Sequence, residues 1–194
     1  MISFETTAES IDFSTCDTLM FSSKQAVVTA DAIDKRWKTL PSIAVGSATK
    51  KQIELLGGEV IYHPKEFYGE QLAEDIEHFF AQRNILYLRP EIVSFDSRGF
   101  LAQRGIILQE QIIYKTSCVK YSPSEQPPAS SIIIFTSPST IHCFLENFAW
   151  LESYTAIVIG ESTKAHLPDG AECIVAESPL IDACVEKAES IIKY

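Results

Sequence analysis

Two short segments of the sequence recur after the same interval, and this duplication constrains the fold more than any other feature. The segment Leu19–Lys24 (LMFSSK) is echoed by Ile133–Pro138 (IIFTSP), and Ile43–Lys50 (IAVGSATK) is echoed by Ile157–Lys164 (IVIGESTK). Both echoes lie 114 residues after the originals. Two segments displaced by one interval indicate an internal repeat. The sequence therefore predicts two related lobes that present the same pair of turns, with a ligand large enough to be held between them.

The composition favours a folded protein with real hydrophobic cores. Of the 194 residues, 46% are hydrophobic and 22% are charged, which suits one large domain or two small ones. The formal net charge of −10 and the lack of a basic stripe argue against a nucleic-acid partner. No apolar run approaches the roughly 18 residues of a membrane helix, and the first residues do not resemble a secretion signal. We therefore expect a cytoplasmic protein.

The cysteines are scattered through the sequence and odd in number. None forms a CxxC pair, and no cysteine or histidine stands at the spacing of a zinc site, so we predict no metal centre. We expect all five to be structural thiols in a reducing compartment: Cys16, Cys118, Cys143, Cys173 and Cys184.

Short apolar, β-rich runs alternate with stretches of helical periodicity through the first half of the chain. This alternation is typical of α/β units around a parallel sheet. The predicted strands are Thr18–Phe21, Ser42–Val45, Glu59–Tyr62 and Ile85–Leu88. The predicted helices are Lys24–Arg36, Ser47–Leu56, Tyr68–Gln82 and Ser94–Arg104. These four strand–helix pairs make up the predicted first lobe, residues 15–105.

The pattern changes after the first lobe. Ile106–Lys120 is β-like without helical periodicity, and Ser122–Ser130 is rich in proline and serine. We predict that residues 1–14 and 106–130 connect the lobes and that residues 131–194 form the second lobe. Its predicted strands are Ser131–Phe135, Tyr154–Ile159 and Glu172–Val175, and its predicted helices are Ser139–Phe148, Ser162–Leu167 and Leu180–Ile192. The second lobe thus has one strand–helix unit fewer than the first.

Hydroxyl side chains follow the predicted strands at the points where helices begin. Backbone N–H groups at a helix N-terminus lack partners and the helix dipole is positive there, which favours a carboxylate or phosphate. Glycine lets a ligand approach the backbone closely, and ligands usually bind at the carboxyl ends of parallel strands. The candidate binding residues are Ser22, Ser23, Gly46, Ser47, Thr49, Thr136, Ser137, Gly160, Ser162 and Thr163.

Each of these turns has a plainer explanation, because serine and threonine are also preferred helix N-caps. Two further candidate residues likewise have both a functional and a purely structural explanation. Tyr114 lies in the stretch between the lobes, where a phenol can donate a proton or simply pack on a strand. Arg89 ends a predicted strand, where it can pair with a ligand carboxylate or remain a solvated surface charge.

Short motifs along nearly the whole chain resemble those of uroporphyrinogen-III synthases of the haem pathway. Their order and spacing are more specific than any one of them. The motifs are Leu19–Val27 (LMFSSKQAV), Ala44–Thr49 (AVGSAT), Ile85–Arg89 (ILYLR), Gly105 with Ile112–Tyr114 (IIY), Ile134–Ser139 (IFTSPS), Ile157–Thr163 (IVIGEST) and Ala176–Pro179 (AESP).

The resemblance implies two parallel α/β lobes joined by a β-connector. It also implies a lyase that needs no cofactor and that dehydrates and cyclises hydroxymethylbilane, a linear tetrapyrrole rich in carboxylates, to uroporphyrinogen III with inversion of the terminal ring. By similarity, Tyr114 falls on a tyrosine that assists departure of the hydroxyl group. Lys24 adds a cation beside Ser23 where family members commonly carry a small residue or proline. The hydroxyl-lined cleft of the family falls on Ser23, Thr49, Ser137, Ser162 and Thr163.

The implied protein is a monomer that binds a small-molecule substrate and neither nucleic acid nor membrane. Family members normally begin with a strand and a helix before the segment matching Ile2–Glu5 (ISFE), and these complete the second lobe. The resemblance therefore predicts the same missing unit that the strand count predicts. An alternative function is a non-catalytic, two-lobed binding module for a small anionic ligand, since the sequence has no strong acid–base constellation.

Overall fold

The computed structural model describes residues 1–64 and 69–192, and the chain divides into two compact units. The first unit is Phe4–Lys115, and the second unit joins Met1–Ser3 to Thr116–Tyr194. Parallel strands alternate with helices in each, which confirms the predicted α/β class. The division falls inside the predicted connecting stretches, so their residues are shared between the two units.

The longer sheet has six strands within the described residues. They are β1 (Ile2–Thr6), β2 (Thr18–Phe21), β3 (Ser42–Ala44), β4 (Val60–Tyr62), β5 (Ile85–Pro90) and β6 (Gln109–Cys118). Their order is β1-β6-β5-β2-β3-β4. The neighbouring pairs β5–β6, β2–β5, β2–β3 and β3–β4 are all parallel. Every residue of β2 is buried, because this short apolar strand lies inside the sheet with helices on both faces. The four strands predicted for the first lobe are thereby confirmed to within two residues.

Four helices cover the two faces of this sheet: α1 (Lys24–Ile33), α2 (Ser47–Leu55), α3 (Gly69–Phe79) and α4 (Ser97–Ala102). Side chains alternate along a strand, so β2 sends Leu19 and Phe21 to one hydrophobic cluster and Met20 to the other. The cluster of Phe21 includes Tyr114, and the cluster of Met20 includes Tyr87. The two faces of one sheet thus each contain a buried tyrosine.

The helix predicted over Lys24–Arg36 is too long. It ends at Ile33, and a separate 3₁₀-helix occupies Lys35–Thr39. The cause is Asp34, which has an extended backbone (φ −155°) and whose carboxylate accepts the N–H of Arg36. An aspartate that caps a following helix interrupts the preceding one.

The other three helices of the first unit are also shorter than predicted, α2 by the single residue Leu56. α4 begins at Ser97 instead of Ser94, because the Asp96 carboxylate caps it by accepting the N–H of Gly99. α3 ends at Phe79 instead of Gln82, and Arg83 N–H closes a turn onto Phe80 O. The first residue of the helix predicted over Tyr68–Gln82 lies outside the described residues.

The second unit repeats one end of the longer sheet, the strands β2, β3 and β4. Its strands β7 (Ile132–Phe135), β8 (Thr155–Val158) and β9 (Glu172–Val175) are parallel and follow the order β7-β8-β9. Phe21 pairs with Ala44 in the first unit, and Phe135 pairs with Val158 in the second. Both members of the second pair lie 114 residues after those of the first, so the duplicated sequence also duplicates strand register.

The helices of the second unit are α5 (Pro138–Asn147), α6 (Glu161–Lys164) and α7 (Ile181–Ile192), with a short 3₁₀-helix over Pro123–Glu125. The prediction of Ser162–Leu167 is wrong at its C-terminal end. His166 and Leu167 form tight turns to residues three positions earlier, and Pro168 disfavours helical geometry at the residue before it. Within the described residues, the second unit has three strand–helix pairs against four in the first.

The prediction of five free thiols is wrong for two of them. Cys118 at the end of β6 and Cys143 in α5 form a disulfide, with sulfur atoms 2.09 Å apart. Packing of α5 brings together residues that are 25 positions apart, which no cysteine spacing in the sequence indicates. Cys16, Cys173 and Cys184 are free. Within the described residues, no helix has both the length and the apolar character needed to cross a membrane.

Candidate active site

Two consecutive serines follow β2 at the carboxyl end of the first unit's sheet. Ser23 is the N-cap of α1, and its Oγ accepts the backbone N–H of Ala26 at 3.0 Å. The same Oγ lies 2.9 Å from the phenol oxygen of Tyr114, which β6 carries. The structure therefore brings together Ser23 and Tyr114, two residues that the sequence predicted for the site.

The phenol of Tyr114 is held as a neutral acid. Tyr114 is 4% exposed, its ring packs edge-on against Phe4, and burial raises its pKa, although the hydrogen bond with Ser23 opposes that rise. Because Ser23 Oγ already accepts the Ala26 N–H, the Ser23 hydroxyl proton is available to the Tyr114 oxygen. In that arrangement the phenol proton of Tyr114 stays free for another acceptor.

Tyr87 is a residue of this cluster that the sequence analysis missed. It lies on β5, is 3% exposed, and donates its hydroxyl to Ser22 Oγ over 2.6 Å. From the sequence alone, a tyrosine within an apolar strand cannot be distinguished from one that only packs in the core. Only the parallel pairing of β2 with β5, which aligns Tyr87 with Met20, places its hydroxyl near Ser22.

The charged candidates of the first unit differ in how fully they are paired. Arg89 lies within an ion pair, its Nε 3.2 Å from Glu110 Oε2 without hydrogen-bond geometry, and its Nη1 donates to the carbonyls of Pro90 and Glu91. Lys24, in contrast, is exposed and has no ion-pair or hydrogen-bond partner among the described residues. Lys24 is therefore the more accessible cation beside the serine turn.

The second turn of each unit follows the next strand. Val45 N–H donates to Phe21 O at 2.9 Å, and Ile159 N–H donates to Phe135 O at 3.0 Å, so in each unit the two turns are neighbours. The glycines that open the helices differ in conformation. Gly46 has a φ of 77°, in the left-handed region, whereas Gly160 has a φ of 178° and is extended.

The hydroxyls of these second turns differ in exposure. Thr49 and Thr163 occupy equivalent positions and are 4% and 1% exposed. Ser47 is half-buried and Ser162 is exposed. The two serines are thus far more accessible to a ligand than the two threonines.

The first turn of the second unit resembles its counterpart in backbone but not in side-chain bonding. Ser137 has an extended backbone like Ser23, yet its side chain makes no capping hydrogen bond to α5. Its Oγ lies 2.9 Å from Ser139 Oγ instead. Thr136 and Ser137 are both half-buried, so this turn presents hydroxyls that the helix does not require.

Together these features define an α/β enzyme with two copies of one strand-and-turn unit and a buried phenol beside one of them. A family model described as uroporphyrinogen-III synthase HemD matches residues 2–186. The chain belongs to the uroporphyrinogen-III synthase family. It is an enzyme of haem biosynthesis that cyclises hydroxymethylbilane to uroporphyrinogen III, so the predicted reaction is confirmed and the alternative of a non-catalytic binding module is not supported.

Solved structures support the same assignment. The chain is similar to a uroporphyrinogen-III synthetase from Helicobacter pylori, with a TM-score of 0.82 and 27% identity over 98% of this chain and 90% of that one. A mutant uroporphyrinogen III synthase from the extremely thermophilic bacterium Thermus thermophilus matches with a TM-score of 0.57 and 10% identity, over 99% and 87% of the two chains. The second match supports the fold alone. No curated protein sequence matches the chain.

Proposed function

We propose that Tyr114 is the general acid of the dehydration step. Its phenol proton transfers to the hydroxymethyl oxygen of the substrate while the carbon–oxygen bond breaks, which releases water. The electron pair of the adjacent pyrrole nitrogen stabilises the cation formed at that carbon. The proton lost when the new macrocycle regains its aromatic pyrroles returns to the phenolate, so protons balance over the cycle.

The hydrogen bond between Ser23 and Tyr114 is the observation that carries this proposal. Ser23 is fixed as the N-cap of α1, so it can direct its own proton to the Tyr114 oxygen. That bond leaves the phenol proton free and also stabilises the phenolate formed after transfer. The raised pKa of Tyr114 keeps the proton in place at neutral pH until a substrate oxygen arrives.

We also propose that the duplicated turns bind the carboxylates of the substrate. In the first unit, Ser22, Ser47 and the exposed Lys24 supply hydroxyl donors and a cation, and the N-terminus of α1 supplies a positive dipole. In the second unit, equivalent roles belong to Thr136, Ser137, Gly160 and Ser162. Thr49 and Thr163 are buried beneath these turns, and the charge of Arg89 is offset by its pair with Glu110, so Lys24 is the cation that meets a carboxylate. These contacts also hold the two ends of the linear substrate in place, which contributes to the rate because the reacting carbons stay close together.

The variant Tyr114→Phe tests the catalytic role. Loss of a general acid typically lowers the rate by about 100-fold or more, so we expect kcat for uroporphyrinogen III to fall by about that factor with KM nearly unchanged. The matched control is Tyr154→Phe, which removes a buried phenol hydroxyl that donates to Pro127 O in the second unit. Wild-type turnover by Tyr114→Phe would remove Tyr114 from the mechanism.

We further propose that the enzyme acts as a monomer in the cytoplasm. One chain carries both copies of the substrate-binding turns, so a second chain is not needed to supply them. The substrate cyclises spontaneously to isomer I, so the enzyme must be present where the substrate is released. Sedimentation equilibrium measures whether the protein is a monomer. Fractionation of intact cells, with the protein followed by an antibody, measures whether it is cytoplasmic.

A further inference from the structure

Two phenols reach the serine pair of the first unit from opposite faces of the same sheet. Tyr114 belongs to the hydrophobic cluster around Phe21 and bonds to Ser23. Tyr87 belongs to the cluster around Met20 and bonds to Ser22. The bond between Tyr114 and Ser23 is part of the proposed acid catalysis, whereas the bond between Tyr87 and Ser22 has no role in it.

The direction of the second bond determines what Ser22 can do. Tyr87 is the donor and Ser22 Oγ the acceptor, over 2.6 Å. A serine hydroxyl has one proton, and because Ser22 Oγ accepts from Tyr87, the Ser22 proton is available to an acceptor other than Tyr87. Ser22 is half-buried, which leaves that proton within reach of a ligand. Burial raises the pKa of Tyr87, although the Ser22 hydrogen bond and the charge of Arg89 oppose it, so the phenol remains a donor at neutral pH.

We propose that Tyr87 is a positioning residue that fixes Ser22 as a hydrogen-bond donor to a carboxylate of the substrate. The proposal rests on the proposed role of the serine turn in binding carboxylates and adds the residue that orients it. An unfixed hydroxyl must lose rotational freedom when it binds a ligand, whereas a pre-oriented one has lost it already. Tyr87 therefore acts on substrate binding and not on the chemical step.

The second unit offers an internal contrast. Thr136 occupies the position equivalent to Ser22, but within the described residues no strand lies beside β7 in the place that β5 takes beside β2. No described phenol donates to Thr136. Within the described residues, the fixed donor is thus a property of the first unit alone.

The experiment is a double-mutant cycle on KM and kcat for uroporphyrinogen III formation with Tyr87→Phe, Ser22→Ala and both together. We expect Tyr87→Phe and Ser22→Ala each to raise KM about fivefold, the usual effect of losing one hydrogen bond, with kcat within about twofold of wild type. Because Tyr87 acts through Ser22, we expect the double variant to be no worse than Ser22→Ala. The control is Tyr62→Phe, whose tyrosine packs against the same cluster as Tyr87 and bonds to Asp75; its KM should match wild type.

The outcomes separate this proposal from the one on which it rests. If Ser22→Ala leaves KM unchanged, the serine turn does not bind the substrate, and both proposals fail at that residue. If Ser22→Ala raises KM but Tyr87→Phe does not, or if the two effects add, only the positioning role is overturned. If Tyr87→Phe fails to fold, a fluorinated tyrosine at position 87 replaces it. As a stronger donor of similar shape it should lower KM, and an unchanged or higher KM overturns the proposal.

Discussion

Ser23 has two roles that depend on one oxygen. The sequence left open whether such serines are helix caps or ligand-binding groups, and here the capping oxygen of Ser23 also lies within hydrogen-bond distance of the phenol. Its Oγ accepts the Ala26 N–H and bonds to Tyr114. The capping bond leaves the Ser23 proton available to the phenol oxygen, so the structural role and the proposed functional role are compatible.

At the residue scale, Gly46 and Gly160 are matched positions with different backbone demands. Alanine at Gly46 must adopt a φ of 77°, which costs about 1–2 kcal/mol for a residue with a side chain. Gly160 is extended, and a Cβ built there meets nothing within 4 Å. We expect Gly46→Ala to lower the free energy of unfolding by about that amount in urea titrations.

Gly160→Ala is the control for stability and also a test of ligand approach. We expect its free energy of unfolding to stay within about 0.5 kcal/mol of wild type, while KM rises because the new methyl group obstructs the backbone N–H groups of the turn. Unchanged KM would show that the backbone at Gly160 does not receive the substrate.

The two phenols also predict how stability depends on pH. Burial raises the pKa of both Tyr87 and Tyr114 in the folded protein above the ordinary value of 10.0. Above that pH the unfolded chain loses these protons first, so it binds fewer protons than the folded chain and stability falls as pH rises. We expect the Tyr87→Phe/Tyr114→Phe variant to lose less unfolding free energy than wild type as the pH rises above about 10. Parallel losses in the two proteins would contradict this.

At the element scale, the duplication extends to strand register but not to helix capping. The β2–β3 pairing recurs as β7–β8, whereas the side chain of Ser23 caps α1 and the side chain of Ser137 leaves α5 uncapped. Strand pairing depends on buried apolar side chains, which the repeated sequence retains. A capping bond depends on one rotamer, which the neighbouring Ser139 redirects.

This difference predicts unequal effects of the same substitution. Ser23→Ala removes an N-cap bond and should lower the free energy of unfolding by about 1 kcal/mol. Ser137→Ala removes only a bond to another serine and should cost less than about 0.5 kcal/mol. Urea titrations followed by Trp37 fluorescence for the first unit and Trp150 fluorescence for the second make the comparison. A larger loss for Ser137→Ala would contradict the assigned capping roles.

The elements were predictable where one local pattern decided them. The strands Thr18–Phe21 and Glu172–Val175 match their predictions residue for residue, because short apolar runs between turn residues have few alternatives. The end of α1 was not predictable from periodicity, because the apolar pattern continues to Trp37 while Asp34 stops the helix. Ser23 and Tyr114 were predicted for the site from motifs, and they do lie within hydrogen-bond distance of each other. Tyr87 beside them, and the Cys118–Cys143 disulfide elsewhere in the fold, depend on contacts between distant strands and helices.

At the scale of the whole molecule, each unit has hydrophobic clusters of its own. The first unit contains Trp37, fully buried with its ring 5.6 Å from that of Phe21. The second contains Trp150, which packs against Phe144 and Tyr154 with ring centroids 6.0 and 5.5 Å apart. These are the two tryptophans of the chain, so each unit has one intrinsic fluorophore. The second unit has the smaller sheet, so less apolar surface is available to stabilise it.

The disulfide compensates within the second unit alone, because both Cys118 and Cys143 belong to it. A bond that closes a loop of this length restricts the unfolded chain and stabilises the folded state by about 3 kcal/mol. We expect Cys118→Ser/Cys143→Ser to move the Trp150 fluorescence transition to lower urea by the equivalent of that free energy, while the Trp37 transition stays in place. Cys173→Ser, which removes a free thiol from the same unit, should move neither transition. A joint shift of both tryptophans in the double variant would mean that the two units unfold as one.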